Sequence, residues 1–173
     1  KLRYEVFKIE QGRLGNIKES LDFDRFDQCC MHLLVIETGS NQVVGTYRMQ
    51  SGARSREHFG FYSEQEFQLT NIDHICREVF EVGRSCVHPE YRSGAVVALL
   101  WAGIVIIKKR ANFNYMLGCV SLEHTDEVVG WSLYDYFVRQ NLITDGVKAE
   151  PKAAYSLPSS AERITDDEKI VKM

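Results

Sequence analysis

The sequence predicts a mixed α/β domain: a mostly antiparallel central sheet with one parallel strand pair and helices on both faces. Three observations carry this. Two β-rich runs, residues 32–37 and 42–50, flank Thr38-Gly39-Ser40-Asn41 and read as a hairpin. A strand over residues 79–87, a long apolar stretch and a second strand over residues 115–122 follow in succession. Strands joined through a crossover helix lie parallel. Finally, 173 residues suit one domain with a sizeable core.

The elements follow in order. Residues 2–11 place Leu2, Val6, Phe7 and Ile9 at amphipathic helical spacing. Residues 12–28 form a polar, acidic loop whose Phe23 and Phe26 need a place to bury. After the hairpin, residues 51–58 read as a polar loop and residues 59–69 as an irregular aromatic wall. Residues 93–110 contain many β-branched side chains, but so long an uninterrupted run is a helix, and its all-round apolarity predicts burial. Its basic end, Lys108, Lys109 and Arg110, complements the helix dipole. Residues 125–140 form another helix with Thr125 as N-cap. Residues 147–156 read as a late edge strand interrupted by Pro151. The domain is expected to span residues 1–158, with residues 159–173 a charged C-terminal tail.

Composition narrows the function classes. The net charge of −3 gives no global electrostatic case for nucleic acid. Five cysteines, an odd number with no CxxC pair, argue against a disulfide framework and for a reducing compartment. Cys29, Cys30, His32, His74 and Cys76 lack zinc-ligand spacing, so no metal is expected. The longest apolar run, residues 95–107, is too short to span a bilayer. The expectation is a cytoplasmic protein, with peripheral association at the inner membrane allowed.

The chemistry concentrates in one segment, from Phe80 to Arg92. Glu81 and Arg84 interrupt an otherwise apolar strand, where charge is costly unless paired or used. The strand runs into a turn bearing Arg92, Ser93 and Gly94 at the head of the long helix, a natural place for a phosphate-bearing group. This suggests an enzyme that grips a pantetheine-type carrier and reacts something beside the strand.

Six segments then occur in order: Leu2-Arg3-Tyr4-Glu5-Val6-Phe7, Asp22-Phe23-Asp24-Arg25-Phe26-Asp27, His32-Leu33-Leu34-Val35, Gly45-Thr46-Tyr47-Arg48, the strand and turn from Glu81 to Arg92, and Gly118-Cys119-Val120-Ser121-Leu122. Together they resemble the ornithine lipid N-acyltransferase family, whose members are often labelled hemolysin-like. That family belongs to the GNAT superfamily and is related to the acyl-homoserine-lactone synthases. The resemblance implies a GNAT-like fold. It also implies transfer of a long-chain (3-hydroxy)fatty acyl group from acyl carrier protein to the amine of a small amino acid, ornithine first, in bacterial aminolipid synthesis. From the synthase relatives it implies a substrate pocket of Arg3, Asp22, Asp24, Asp27, Arg48, Glu81 and Arg84.

Direct acyl transfer needs a neutral amine, a held carbonyl, donors for the oxyanion and a proton for the thiolate. Glu81 is the candidate base or amine anchor, with a structural ion pair to Arg84 or Arg48 the plainer reading. Asp22, Asp24 and Asp27 could bind a cationic amino acid, against the plainer reading of a solvated loop. Arg3 and Arg48 suit a substrate carboxylate. Arg92, with the backbone amides of Ser93, Gly94, Ala95, Val96 and Val97, suits the phosphate of phosphopantetheine or of acyl-coenzyme A. The turn is a degenerate form of the superfamily's phosphate loop. The resemblance offers Tyr134 as the thiolate's proton donor, although packing explains it as well. A Cys86–His88 dyad is rejected, because direct transfer needs no nucleophile. The basic clusters at Arg54/Arg56 and Lys108 to Arg110 could dock acyl carrier protein. Two alternatives stand: a lactone synthase using S-adenosylmethionine, and a non-catalytic acyl-carrier-binding module.

Overall fold

The Glu37 carboxylate fixes the first turn, accepting from the backbone N–H of Gly39 at 2.8 Å and of Ser40 at 2.5 Å. A computed structural model of the chain describes residues 1–10, 21–121, 126–160 and 162–171. In order, its elements are helix α1 (Leu2–Tyr4), running on as a π-helical stretch (Glu5–Glu10), strands β1 (Met31–Glu37) and β2 (Gln42–Ser51), helix α2 (Gly52–Glu57), and strands β3 (Phe67–Thr70) and β4 (Val79–Val87). Helix α3 (Ala95–Arg110), strand β5 (Tyr115–Leu117), helix α4 (Glu127–Arg139), strand β6 (Lys148–Pro151) and helix α5 (Asp167–Val171) complete it. The chain divides into two units, Lys1–Tyr62 with Ile75–Gly118, and Ser63–His74 with Cys119–Met173.

The first unit holds the central sheet, in the order β1-β2-β4-β5. The pairs β1–β2 and β2–β4 are antiparallel, and β4–β5 is parallel, as expected. On one face, α3 inserts Val96, Leu100 and Ile104 against Val44, Met49 and Phe80. Gly45 admits this helix: a Cβ there would lie 2.5 Å from Val96 Cγ1. On the other face, Leu2 and Val6 pack with Cys86. Helices therefore cover both faces of this sheet.

Two irregularities in β4 shape the site. Between Thr46↔Cys86 and Arg48↔Gly83, β4 spends one residue more than β2, and Arg84 sits there at φ 48°. Such a bulge re-aims a side chain, and its left-handed backbone costs a non-glycine residue about 1–3 kcal/mol. The parallel ladder runs only from Val79↔Tyr115 to Glu81↔Leu117, while β4 continues to Val87.

In the second unit β3 pairs antiparallel with β6. Helix α4 carries α5 and the segment before it: Arg163 Nε lies 2.7 Å from Asp135, the Ile164 N–H donates to Ser132 Oγ, and Ile170 is buried.

Several expectations need correction. Residues 51–58 are no loop: Ser51 caps α2 by accepting from Arg54 N at 3.3 Å. The aromatic stretch after residue 59 includes strand β3, and its partner is the late strand β6. Helix α3 is not buried all round. Its inward stripe is the i, i+4, i+8 set Val96, Leu100 and Ile104, while Leu99 is 58% exposed and Ile106 49%. A helix on one face of a sheet buries one stripe, whatever its composition. Strand β5 is shorter than predicted. Of the two loop phenylalanines, Phe26 is buried and Phe23 is exposed. The cap of α4 is Asp126, which accepts from Val128 N at 2.7 Å. Residues 11–20, Leu122 and Thr125 lie outside the described residues. Among the described residues, no helix is long and apolar enough to cross a membrane.

Candidate active site

The acidic loop is built around a reciprocal cap. Asp24 accepts from Phe26 N, and Asp27 accepts back from Asp24 N, both at 2.8 Å. The buried Phe26 ring pins this turn, making edge contacts with Tyr62 and Phe59. All three loop carboxylates thereby face the sheet surface opposite α3.

There they close a ring of alternating charge with three arginines. Going round it, Arg3–Asp22 is 3.0 Å, Asp22–Arg84 3.8 Å, Arg84–Asp24 3.5 Å, Asp24–Arg48 2.6 Å, Arg48–Asp27 3.4 Å and Asp27–Arg3 2.6 Å. The loop's negative charge is thus matched within the chain. Burial works to raise the Asp27 carboxyl. The hydrogen bonds from Arg3, that from the Asp24 N–H and the charges of Arg3 and Arg48 override it, holding the group at about 2. Burial likewise works to lower the Arg3 and Arg48 guanidinium groups, and their aspartate partners raise them above the ordinary value.

Arg84 is the loosest member. Both its ring contacts are longer than a hydrogen bond, and its buried Nε has no hydrogen-bond partner among the described residues. Its guanidinium lies over Phe7 at 5.6 Å and over Tyr62 at 5.8 Å, and that of Arg48 lies over Tyr62 at 5.3 Å.

Beside the ring is a cavity of about 360 Å³, lined by Arg3, Asp22, Asp27, His32, Leu34 and Thr46 among others. Glu81, 5% exposed, stands on the same sheet face. Its Oε2 accepts from Gln50 Nε2 at 2.8 Å and from Tyr62 N at 2.7 Å. Six of the expected site residues (Arg3, Asp22, Asp24, Asp27, Arg48 and Arg84) therefore meet in one network. Glu81 joins the same face through Tyr62, whose ring meets two of the arginines.

The phosphate-site candidates lie at the head of α3. Arg92 is exposed, and its Nε and Nη2 donate to Val87 O at 3.3 and 3.2 Å. Ser93 and Ala95 are exposed, and Gly94 takes φ 96° as N-cap. The Val96 side chain belongs to the core, so only its backbone is available. Tyr134 is on α4 in the second unit, 48% exposed and edge-on to Trp131. The smaller basic cluster is partly committed: Arg54 Nε donates to Cys29 O, and Arg56 lies over Phe61. Cys86 is buried, and burial pushes its thiol up to about 11, far from a thiolate nucleophile.

Sequence reasoning missed Gln50 and Tyr62. Gln50 carried a usable signal, a polar residue two places after Arg48 on an apolar strand and therefore on the same face. Tyr62 was legible only as part of the aromatic wall; the bond its backbone N–H gives Glu81 has no sequence signal.

Comparison with known proteins gives a consistent set of similarities. Residues 2–102 match the model of the acetyltransferase (GNAT) domain. The L-ornithine N(alpha)-acyltransferase of Brucella abortus (strain 2308) is 39% identical over 130 residues, covering 69% of this chain and 46% of that protein. The protein of the same name from Rhodobacter capsulatus is 34% identical over 134 residues, covering 73% and 52%. The chain thus spans about half the length of the curated relatives it matches. Among solved structures, the CoA-dependent acyl-homoserine lactone synthase BjaI, with SAM and isopentyl-CoA, aligns at TM-score 0.52. It is 15% identical over 87% of this chain and 70% of that one, a likeness of fold.

Proposed function

Because the chain belongs to the acetyltransferase (GNAT) domain family, we propose that it transfers an acyl group from a thioester to the amine of an amino acid, ornithine foremost. The observation that carries this reading is Glu81: a buried carboxylate on β4, held by Gln50 and the Tyr62 N–H where the parallel β4–β5 ladder ends. The names of the relatives support ornithine as acceptor.

In the proposed step both substrates bind together. The amine nitrogen bonds to the thioester carbonyl carbon, the C–S bond breaks, and the sulfur leaves as thiolate. The proton lost by nitrogen passes to Glu81, and the thiolate takes a proton from water. The cavity beside the ring offers both signs of charge for a zwitterion: Arg3 for a carboxylate, Asp22 and Asp27 for an ammonium group. The donor is a long-chain (3-hydroxy)acyl group on acyl carrier protein, its phosphopantetheine phosphate meeting Arg92 and the backbone N–H groups of Ser93 to Val96. Acyl-coenzyme A would present the same phosphate chemistry. Lys108 to Arg110 provide a basic surface for the acidic carrier. The product would be a bacterial aminolipid precursor, made on the cytoplasmic side of the membrane.

Competition settles donor and acceptor together. Acyl carrier protein and coenzyme A thioesters of one acyl chain are offered with ornithine, lysine, glycine, serine and S-adenosylmethionine, and products are identified by mass spectrometry. N-acylornithine from the carrier-bound donor is the expected product. An acyl-lactone from S-adenosylmethionine, or tight carrier binding with no product, would contradict the reading.

A further inference from the structure

On the sheet face opposite α3, one buried polar atom beside Glu81 has no hydrogen-bond partner among the described residues. Gln50 is 2% exposed. Its Nε2 donates to Gly60 O at 3.1 Å and to Glu81 Oε2 at 2.8 Å. Because a backbone carbonyl and a carboxylate only accept, the amide's orientation is fixed by its neighbours. That leaves Gln50 Oε1 as a buried acceptor without a hydrogen-bond partner among the described residues. Buried polar atoms are nearly always satisfied, so an orphan on a candidate active-site face calls for a ligand group that donates.

The position of this oxygen is set by the ladder. Gln50 and Glu81 are register partners across β2–β4, and their side chains bond to each other. Oε1 is therefore the other terminus of the amide whose Nε2 holds the Glu81 carboxylate. The opposite face is filled by Met49, Phe80 and Ile104, so a polar ligand meets the sheet on the Gln50 side.

We propose that Gln50 Oε1 is the subsite for the acceptor's primary amine, taking one of its N–H bonds while Glu81 takes the other. This rests on the acyl-transfer reading above and deepens it. A neutral primary amine has two N–H bonds and one lone pair. Fixing both N–H bonds on neighbouring acceptors aims the lone pair away from them, toward the thioester carbon. As the N–C bond forms and the C–S bond breaks, the proton on the Glu81 side moves to the carboxylate. The Gln50 hydrogen bond is kept through the step, so Gln50 orients the amine rather than transferring a proton.

Two substitutions separate this role from a structural one. Gln50→Glu keeps an acceptor oxygen and loses the donor, whereas Gln50→Lys keeps N–H donors for Gly60 O and Glu81 and loses the acceptor. The amine subsite predicts that Gln50→Lys raises the KM for the amino acid about tenfold or more, with the thioester KM unchanged. Gln50→Glu, which keeps an acceptor oxygen, should raise that KM less than Gln50→Lys does. A structural role of the Nε2 bonds predicts the reverse order, and melting curves establish that both variants fold.

A second arm needs neither folding of a variant nor turnover. By calorimetry on the unaltered chain, the trimethylated betaine of the acceptor, which keeps charge and carboxylate but has no N–H, should bind about tenfold or more weakly than the amino acid. Equal binding, or the reverse order of the two variants, overturns the subsite. Absence of acylation of every amine by the unaltered chain would overturn the transfer reading instead, and the calorimetric comparison would still test the subsite.

Discussion

A buried carboxylate between two arginines bears directly on stability. Asp27 sits at about 2 in the folded chain against an ordinary 3.8. A group depressed on folding stabilises the fold fully above its unfolded value, and that contribution is lost as pH falls through the folded value. The window here runs from 3.8 down to about 2, and the contribution is about 2 kcal/mol. Asp27→Asn should therefore remove stability of about that size near neutrality and flatten the acid limb below pH 3.8. Denaturant titrations across pH check it; an acid limb as steep in the variant as in the parent would place the titration elsewhere. Unlike Asp27, Arg84 pairs at longer range, and its Nε has no hydrogen-bond partner among the described residues, so the network's slack is concentrated at the β4 bulge.

The elements place these residues, and α3 does so through one close contact. Gly45 lets Val96 approach β2, which sets where the first turn of α3 and its free N–H groups lie. Gly45→Ala should destabilise by about 1–3 kcal/mol through overpacking against Val96 and Leu100 and should raise the donor's KM. Thermal melts and donor titrations read the two effects; a lower melting point with an unchanged donor KM would detach the helix head from donor binding. At this scale the sequence was most legible where one local signal sufficed. The hairpin, the β4 strand, the crossover helix and the parallel pair all announced themselves by periodicity and length. Helix α2 did not, because Gly52 and two arginines hide a six-residue helix whose cap is Ser51. Strand β3 did not, because its partner lies far along the chain in β6. The meeting of Arg3, Arg48 and Arg84 with the aspartates was expected only through the family resemblance, since no local pattern encodes a contact across the sheet. Gln50, two residues beyond Arg48 on the same strand, shares that residue's face, a signal the strand's own spacing carries.

At the scale of the molecule, the two substrates are proposed to approach different ends of one strand. In that proposal the acceptor meets the charged face around Glu81, and the donor meets the turn after β4. Arg92→Ala should therefore raise the donor KM about tenfold through loss of a charge-assisted contact, leaving the amino acid KM unchanged. Initial rates with each substrate varied in turn separate the two, and a rise in the amino acid KM would show that Arg92 serves the acceptor side through its bonds to Val87. Glu81, near the start of that strand, is where the proposal has the two substrates react. The most direct test is single-turnover mass spectrometry of the unaltered chain and Glu81→Gln with an acyl carrier protein thioester and ornithine. The unaltered chain should form an α-N-acylated ornithine, and a Glu81→Gln variant of unchanged melting temperature should form it about 100-fold or more slowly. Equal rates in the two proteins, or no N-acyl product from the unaltered chain, would contradict the proposal.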